Sequence, residues 1–226
     1  MKLIPSLLLL SATLLFVGCA GIQKVPLSEK NAQNLKGASL AHTEREFPSI
    51  FVYSTGDATA GILGGAIGGA IAGASGDKSI NEKIKDSGAP NPNDLFREMI
   101  LAHFADHFEI VDLSTEGIVL EEKSLKLDLK NSTVATDFIL DSSVGWMCSY
   151  LPTNWKRYMF QFHFFVTMTD PKSSEVIFSD QFHWKTPKEM GFPTMKEFLT
   201  DEKTGIEAQI QAACSAAADY FKTQLK

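Results

Sequence analysis

Three consecutive segments between residues 136 and 185 alternate core-facing and polar side chains with a period of two. This alternation is typical of half-buried β-strands, because successive side chains of a strand point to opposite faces of the sheet. The core-facing positions are Thr136, Phe138, Leu140, Val144, Trp146, Tyr158, Phe160, Phe162, Phe164, Val166, Met168, Phe178, Phe182 and Trp184. A slip of one residue would expose the aromatic set, so the sequence predicts that even-numbered positions pair with even-numbered positions. Residues 170–174 form the turn of a hairpin or meander.

Two pairs of histidines have a spacing that could form a metal-binding or pH-sensing site. One allowed strand register sets His163 opposite His183 on the polar sheet face, where the pair would either sense pH or bind a metal. We interpret both as solvated side chains. His103 and His107 have the spacing of two metal ligands on one helix, with Asp106 beside them. No third ligand is identifiable, and we predict no metal site.

Two amphipathic helices flank these strands in the chain. The first is capped by Asn91 with Pro92 in its first turn, and its predicted buried positions are Phe96, Ile100, Leu101, Phe104 and Phe108. The second extends from about residue 194 to residue 225, with a possible break at Gly205. Its apolar stripe consists of Ile206, Ile210, Ala213, Ala217, Phe221 and Leu225.

The order of elements predicts an α/β (α+β) two-layer sandwich, with a mixed sheet of about five strands and helices on its aromatic face. The opposite face is expected to be polar. We predict one periplasmic domain over residues 49–226, with residues 49–54 as its first strand and residues 108–113 as its second. Residues 116–132 carry both strand and helix signals, and we favour a short helix there.

A glycine repeat interrupts this domain at residues 58–76. Gly61, Gly65, Gly69 and Gly73 would form one smooth face of a helix, and such spacing allows close helix packing in a membrane. Residues 59–74 would make about 24 Å of helix, against a hydrocarbon core of about 30 Å. The segment is therefore expected to span, re-enter or only pack, and to contribute to a homo-oligomer or an envelope complex. A flexible Gly/Ala loop is the alternative.

The N-terminus has the features of an export signal over residues 1–18, with a lysine, an apolar run and a small residue before Cys19. The run Leu15-Phe16-Val17-Gly18-Cys19 resembles the lipobox of bacterial lipoproteins, although Phe16 departs from the usual aliphatic residue. The resemblance implies that Cys19 is lipidated. Ala20, rather than an aspartate, then fits an outer-membrane location with the domain facing the periplasm. Residues 19–48 are predicted to be the lipidated N-terminus and its tether.

Two further cysteines, Cys148 and Cys214, remain once Cys19 is assigned to a lipid. The periplasm oxidises thiols, and both positions are predicted to point into the boundary between sheet and helix. We therefore predict a disulfide between them. Two buried free thiols are the alternative, because a shared face does not bring the two Cα atoms within bonding distance.

Charge and motifs exclude several function classes. The net charge of −6 without a basic cluster disfavours a nucleic-acid partner. Segments 75–78, 179–181 and 203–205 resemble motifs of penicillin-recognising enzymes, but Gln181 stands where that family has asparagine. The sequence also lacks the spacing of a nucleophile elbow or a phosphate-binding loop. We expect a protein that is not an enzyme and has no cofactor.

The predicted order of elements, with residues 134–141 ahead of an aromatic strand, resembles the periplasmic lipoprotein domains of ABC-transporter auxiliary and curli-secretion type proteins. The glycine repeat resembles the glycine zippers of other envelope lipoproteins. These resemblances imply a non-catalytic, lipid-anchored envelope protein that self-assembles or docks on an envelope complex. The alternative is an auxiliary binding subunit of a transport or secretion system, with an apolar groove lined by phenylalanines.

Overall fold

The computed structural model describes residues 23–52, 78–113, 118–120, 135–151 and 153–225. The strands are β1 (Ser39–Arg45), β2 (Ile50–Val52), β3 (Asp112–Leu113), β4 (Ile118–Leu120), β5 (Phe138–Leu151), β6 (Asn154–Asp170) and β7 (Glu175–Lys185). The α-helices are α1 (Glu29–Leu35), α2 (Lys78–Asp86), α3 (Pro92–His107), α4 (Met195–Thr200) and α5 (Ile206–Gln224). A short 3₁₀ turn occupies Lys188–Met190.

The strands form one mixed sheet in the order β3-β1-β5-β6-β7. Strands β5, β6 and β7 are antiparallel, whereas β1 and β2 both run parallel to β5. Strand β4 pairs with β1 in parallel. The fold is thus the predicted mixed sheet with helices.

The even-numbered face of β5, β6 and β7 forms the core, as the alternation predicted. Phe160, Phe162 and Phe164 are fully buried, which stabilises the fold by about 1.5–3 kcal/mol for each such side chain. The helices pack onto these rings. Phe198 of α4 stacks on Phe160 with ring centroids 4.0 Å apart, and Phe96 of α3 meets Phe164 edge to face at 4.8 Å.

Both predicted helices are present with their expected boundaries. Asn91 caps α3 by accepting a hydrogen bond from the backbone N–H of Asn93, and Pro92 occupies the first turn. All five positions predicted for the buried face of α3 are buried. The break at Gly205 also exists, since α4 ends at Thr200 and α5 begins after Gly205.

The prediction of a tether over residues 19–48 is wrong for its described part. Residues 29–35 form α1, whose Leu35 is fully buried, and residues 39–45 form β1 in the interior of the sheet. The first strand is therefore β1, and the predicted strand at residues 49–54 is the second, β2. Strand β1 was not predicted from the sequence, because polar residues such as Thr43 find their partners in β5, nearly one hundred residues later.

The chain changes from β1 to β2 along the same side of β5. Strand β1 pairs with residues 138–140 of β5, and β2 pairs with residues 146–148. Between them, the Asn93 side chain of α3 accepts a hydrogen bond from the Val144 N–H at 2.8 Å and donates one to the Glu46 carbonyl at 2.7 Å. Asn93 thus takes the place of a strand where neither β1 nor β2 pairs with β5.

Two further expectations need correction. The prediction of a short helix in residues 116–132 is wrong for residues 118–120, which form β4. Residues 121–132 lie outside the described part. The sheet face opposite the helices is mixed rather than polar. It carries Asp141, which accepts hydrogen bonds from Arg45, but also the buried side chains of Ile139 and Met147, which lie outside the main core cluster.

Candidate functional site

The residues predicted to contact the membrane lie outside the described part of the chain. Cys19 and the four glycines, Gly61, Gly65, Gly69 and Gly73, all lie outside the described ranges, so their roles stay predictions. The structure does describe the points where those stretches join the domain. One junction is at residues 24 and 25, and the other lies between β2 and α2.

At the first junction the backbone of Val25 pairs with the outer edge of β7. The Val25 N–H donates to the Ser179 carbonyl at 2.8 Å, and the Ser179 N–H donates to the Val25 carbonyl at 2.9 Å. This reciprocal pair is an antiparallel bridge. It satisfies one position on an edge strand whose polar groups would otherwise face solvent.

Side chains reinforce the same junction. The ammonium group of Lys24 lies 2.8 Å from Oδ2 of Asp180, whose side chain is only 3% exposed. Tyr220 of α5 donates its hydroxyl to the same oxygen at 3.0 Å, and the Gln181 N–H donates to Oδ1 at 2.8 Å. Asp180 is thus a buried carboxylate with partners on both oxygens, as a buried charge requires.

Lys24 also donates to Oε1 of Gln224 at 3.1 Å, near the end of α5. The hydrogen bond that Lys24 donates to Asp180 raises the pKa of Lys24 above its ordinary value, so this lysine is charged throughout the physiological range. We call the arrangement of Lys24 and Val25 with Ser179, Asp180, Tyr220 and Gln224 the N-terminal clasp.

One signal for the clasp is present in the sequence itself. Asp180 stands at an even position of β7, between Phe178 and Phe182, where the alternation calls for a core residue. An aspartate at a core-facing position requires a partner of opposite charge or hydrogen-bond donors. Pattern alone could flag Asp180, but it could not identify Lys24, which lies 156 positions earlier in the chain.

At the second junction one side chain holds the two sides of the glycine insert together. Oδ1 of Asn81, in α2, accepts from the Ile50 N–H at 2.7 Å, and Nδ2 donates to the Ile50 carbonyl at 3.3 Å. The amide therefore pairs with β2 as a neighbouring strand would. We call this the insert clamp; it fixes the residue before the insert beside the helix that follows it.

The predicted disulfide is not present. Cys148 and Cys214 are both free and buried, and burial raises the pKa of each thiol to about 12. The Cys214 thiol lies 3.7 Å from the carbonyl oxygen of Pro92, next to Asn93, which binds β5 at Val144. Cys148 lies four residues beyond Val144 on β5, which is about 13 Å at the spacing of residues along a strand. The alternation correctly predicted that both cysteines lie between the sheet and the helices, but it did not predict where each one lies along the strand direction.

The register of the hairpin does place His163 opposite His183. The rings stack with centroids 4.1 Å apart. Burial, followed by the nearby His183 and Lys185, lowers the pKa of His163 to about 4, and burial with Lys185 lowers the pKa of His183. Both rings are therefore neutral near pH 7. The interpretation of freely solvated histidines is wrong for His163, whose Nε2 is buried without a hydrogen-bond partner.

Metal ligation has little support among the described residues. His103 and His107 stack with ring centroids 5.5 Å apart on α3. Within the described ranges no group of three or more histidine, cysteine, aspartate or glutamate side chains is arranged to hold a metal ion. In the same part of the chain, no helix combines the length and apolar character needed to cross a membrane.

Comparisons with known proteins add little to this site. No protein-family model matches the chain, and neither does any curated protein. Among solved structures, the crystal structure of protein XCC0632 from Xanthomonas campestris, assigned to the DUF330 family, is similar with a TM-score of 0.37 and 11% sequence identity. The alignment covers 92% of this chain and 94% of that one. Similarity at this level supports no inference about function.

Proposed function

We propose that the protein is a non-catalytic lipoprotein of the bacterial outer membrane, anchored through acyl chains on Cys19 with its α/β domain facing the periplasm. The observation that carries the proposal is the lipobox-like run that ends at Cys19 after an export signal. Several acyl chains on one cysteine suffice for stable anchoring. In this proposal the domain serves as a scaffold that is held at the membrane.

The glycine insert at residues 58–76 is the proposed assembly element, through which the protein associates with itself or with an envelope complex. The insert clamp supports a specific form of this proposal. Because Ile50 and Asn81 are hydrogen-bonded to each other, the described residues on the two sides of the insert lie at one place on the domain. A single passage across the membrane would put its two ends on opposite sides. Re-entry or packing against a surface is therefore favoured over spanning.

The alternative, an auxiliary binding subunit with an apolar groove, has less support. Its groove was expected to be lined by the phenylalanines of β6. Phe160, Phe162 and Phe164 are instead fully buried beneath the helices, where they form part of the closed core. We therefore favour assembly over cargo binding.

Metabolic labelling with a fatty acid tests the anchor. Wild type is expected to incorporate the label and to fractionate with outer membranes, whereas Cys19→Ala is expected to be unlabelled and soluble in the periplasm. Cys148→Ala is the matched control, since it removes a cysteine but keeps the anchor. A wild type that takes up no label would contradict the proposal.

Crosslinking in intact envelopes tests the assembly element. Leucine at Gly65 and Gly69 fills the groove that close helix packing requires, so the double variant is expected to lose multimers while it stays membrane-bound. Alanine at the same two positions is the matched control, because alanine still permits close packing. Multimers that persist in the leucine variant would show that the glycine face is not the contact.

A further inference from the structure

We propose that the N-terminal clasp orients the domain on the membrane, so that the β7 edge and the C-terminal end of α5 lie against the lipid headgroups. The inference rests on the proposed lipidation of Cys19. It goes beyond anchoring, because a lipid on a long tether leaves the orientation of the domain free, whereas a lipid on a short one does not.

The distance between the anchor and the domain is set by very few residues. Only residues 20–23 separate Cys19 from Lys24, the first residue of the clasp. At no more than about 3.6 Å per residue, the Cα atoms of Cys19 and Lys24 lie within about 18 Å of each other. A tether extending to residue 48 would have allowed roughly 100 Å. The clasp thus removes most of the freedom of movement that a tether over residues 19–48 would have given the domain.

Two different contacts make the clasp a fixed point of attachment. The reciprocal backbone bonds between Val25 and Ser179 set the direction of the incoming chain along β7. The ion pair between Lys24 and buried Asp180 sets its position, because releasing Lys24 would leave a buried carboxylate without its counter-charge. The chain therefore arrives from Cys19 at one defined place on the β7 edge.

The clasp also determines which part of the domain is remote from the membrane. Strand β7 is at one end of the sheet order and β3 is at the other. Four strand spacings of about 4.8 Å separate them, which is about 19 Å. The anchor therefore confines the clasp edge to within about 18 Å of Cys19, whereas the β3 edge can lie about 19 Å farther away.

The chemistry of the near side agrees with a bilayer surface that is reached through the anchor. Val176 of β7 is an exposed apolar residue on this strand, with 39% of its surface accessible. Lys24 and Lys222 are about half exposed near the end of α5. Since the whole chain carries a net charge of −6, general electrostatic attraction to anionic lipids would not orient the domain. The short anchor provides the orientation.

Headgroup quenching on the lipidated full-length protein tests the orientation. The protein is reconstituted in vesicles of phosphatidylethanolamine and phosphatidylglycerol that carry a nitroxide on a fraction of the headgroups. A fluorophore is attached at Thr223→Cys, beside Gln224 of the clasp, or at Val111→Cys, which is 75% exposed and adjacent to β3. The buried thiols of Cys148 and Cys214 should not react under native conditions.

We expect quenching at residue 223 to exceed quenching at residue 111 by at least about twofold, given the reach of the anchor. A flexible Gly/Ser insertion after Gly21 leaves the clasp intact but lengthens the anchor, so it should abolish the difference. Equal quenching at the two sites in the protein without the insertion would overturn the proposal. So would a difference that persists unchanged with the insertion, because the orientation would then have another cause.

Failure of this inference can be distinguished from failure of the proposed function. Fatty-acid labelling of the same preparations reports whether Cys19 carries a lipid. A labelled protein with equal quenching retains the anchor but rejects the orientation. An unlabelled protein rejects the anchor itself, and the orientation with it.

Discussion

Replacement of Asn93 by alanine should destabilise the domain strongly, because Asn93 is a buried polar residue that bonds to two separate parts of the backbone. Asn93 is 5% exposed, and its amide is the partner of both the Val144 N–H and the Glu46 carbonyl. Alanine leaves both backbone groups without that partner. A buried polar group that loses its partner costs about 1–3 kcal/mol. Glu46 is exposed, so its carbonyl can recover hydration, and we expect a total loss of about 2–4 kcal/mol.

Urea unfolding, followed by tryptophan fluorescence, measures this loss on the soluble Cys19→Ala form. In a domain of this size each kcal/mol corresponds to a fall in Tm of about 2–4 °C. A loss of about 3 kcal/mol should therefore lower the Tm in a thermal melt by about 6–12 °C. Asn154→Ala is the matched control, since Asn154 is exposed and its side chain accepts from the Lys156 N–H. The reasoning is refuted if Asn93→Ala loses less than about 1 kcal/mol, or no more than the control.

Three further outcomes are expected on the same soluble form. Cys148 and Cys214 should resist a thiol reagent in the native state and both react after unfolding, because burial raises the pKa of each to about 12; rapid native labelling would contradict this. Since His163 has a lowered pKa of about 4 against 6.5 when unfolded, the stability it contributes is complete above pH 6.5 and is lost as pH falls towards 4. We expect about 1–2 kcal/mol after allowing for partial solvation, and urea midpoints of His163→Phe should vary less over this range. Gly205→Ala would bring a Cβ to 2.0 Å from the Asp201 carbonyl oxygen, so urea unfolding should show a loss of at least about 1–3 kcal/mol, and wild-type stability would contradict the packing there.

The alternation of β5, β6 and β7 was predictable because each residue's environment there depends on its nearest neighbours in sequence. The aromatic core face followed from that one pattern, and so did the register that sets His163 opposite His183 as one of those allowed. Strand β1 was not predictable in the same way. Its sequence, Ser-Leu-Ala-His-Thr-Glu-Arg, is largely polar, and it becomes a strand because Thr43 and Arg45 find Asp141 on β5.

The features of the candidate site also differ in whether they depend on local sequence or on contacts between distant residues. Export signal, lipobox and glycine spacing are short patterns, so the sequence alone suggests Cys19 and the glycine insert. The clasp and the insert clamp depend on contacts between distant parts of the chain, and no local pattern predicts either. The failed disulfide has the same origin, because alternation placed Cys148 and Cys214 in one layer without giving their separation along it.

For the proposed lipoprotein, the clasp implies an order of events during export. Its two halves are far apart in the chain, with 196 positions between Lys24 and Tyr220 and 200 between Lys24 and Gln224. A chain that crosses the inner membrane from its N-terminus delivers Lys24 first and the end of α5 last. Until β7 and α5 have both emerged, residues 24 and 25 lack the full set of clasp partners, so the proposed acylation of Cys19 can precede closure of the clasp. Closure of the clasp would then be among the last steps of folding, after the lipid is in place.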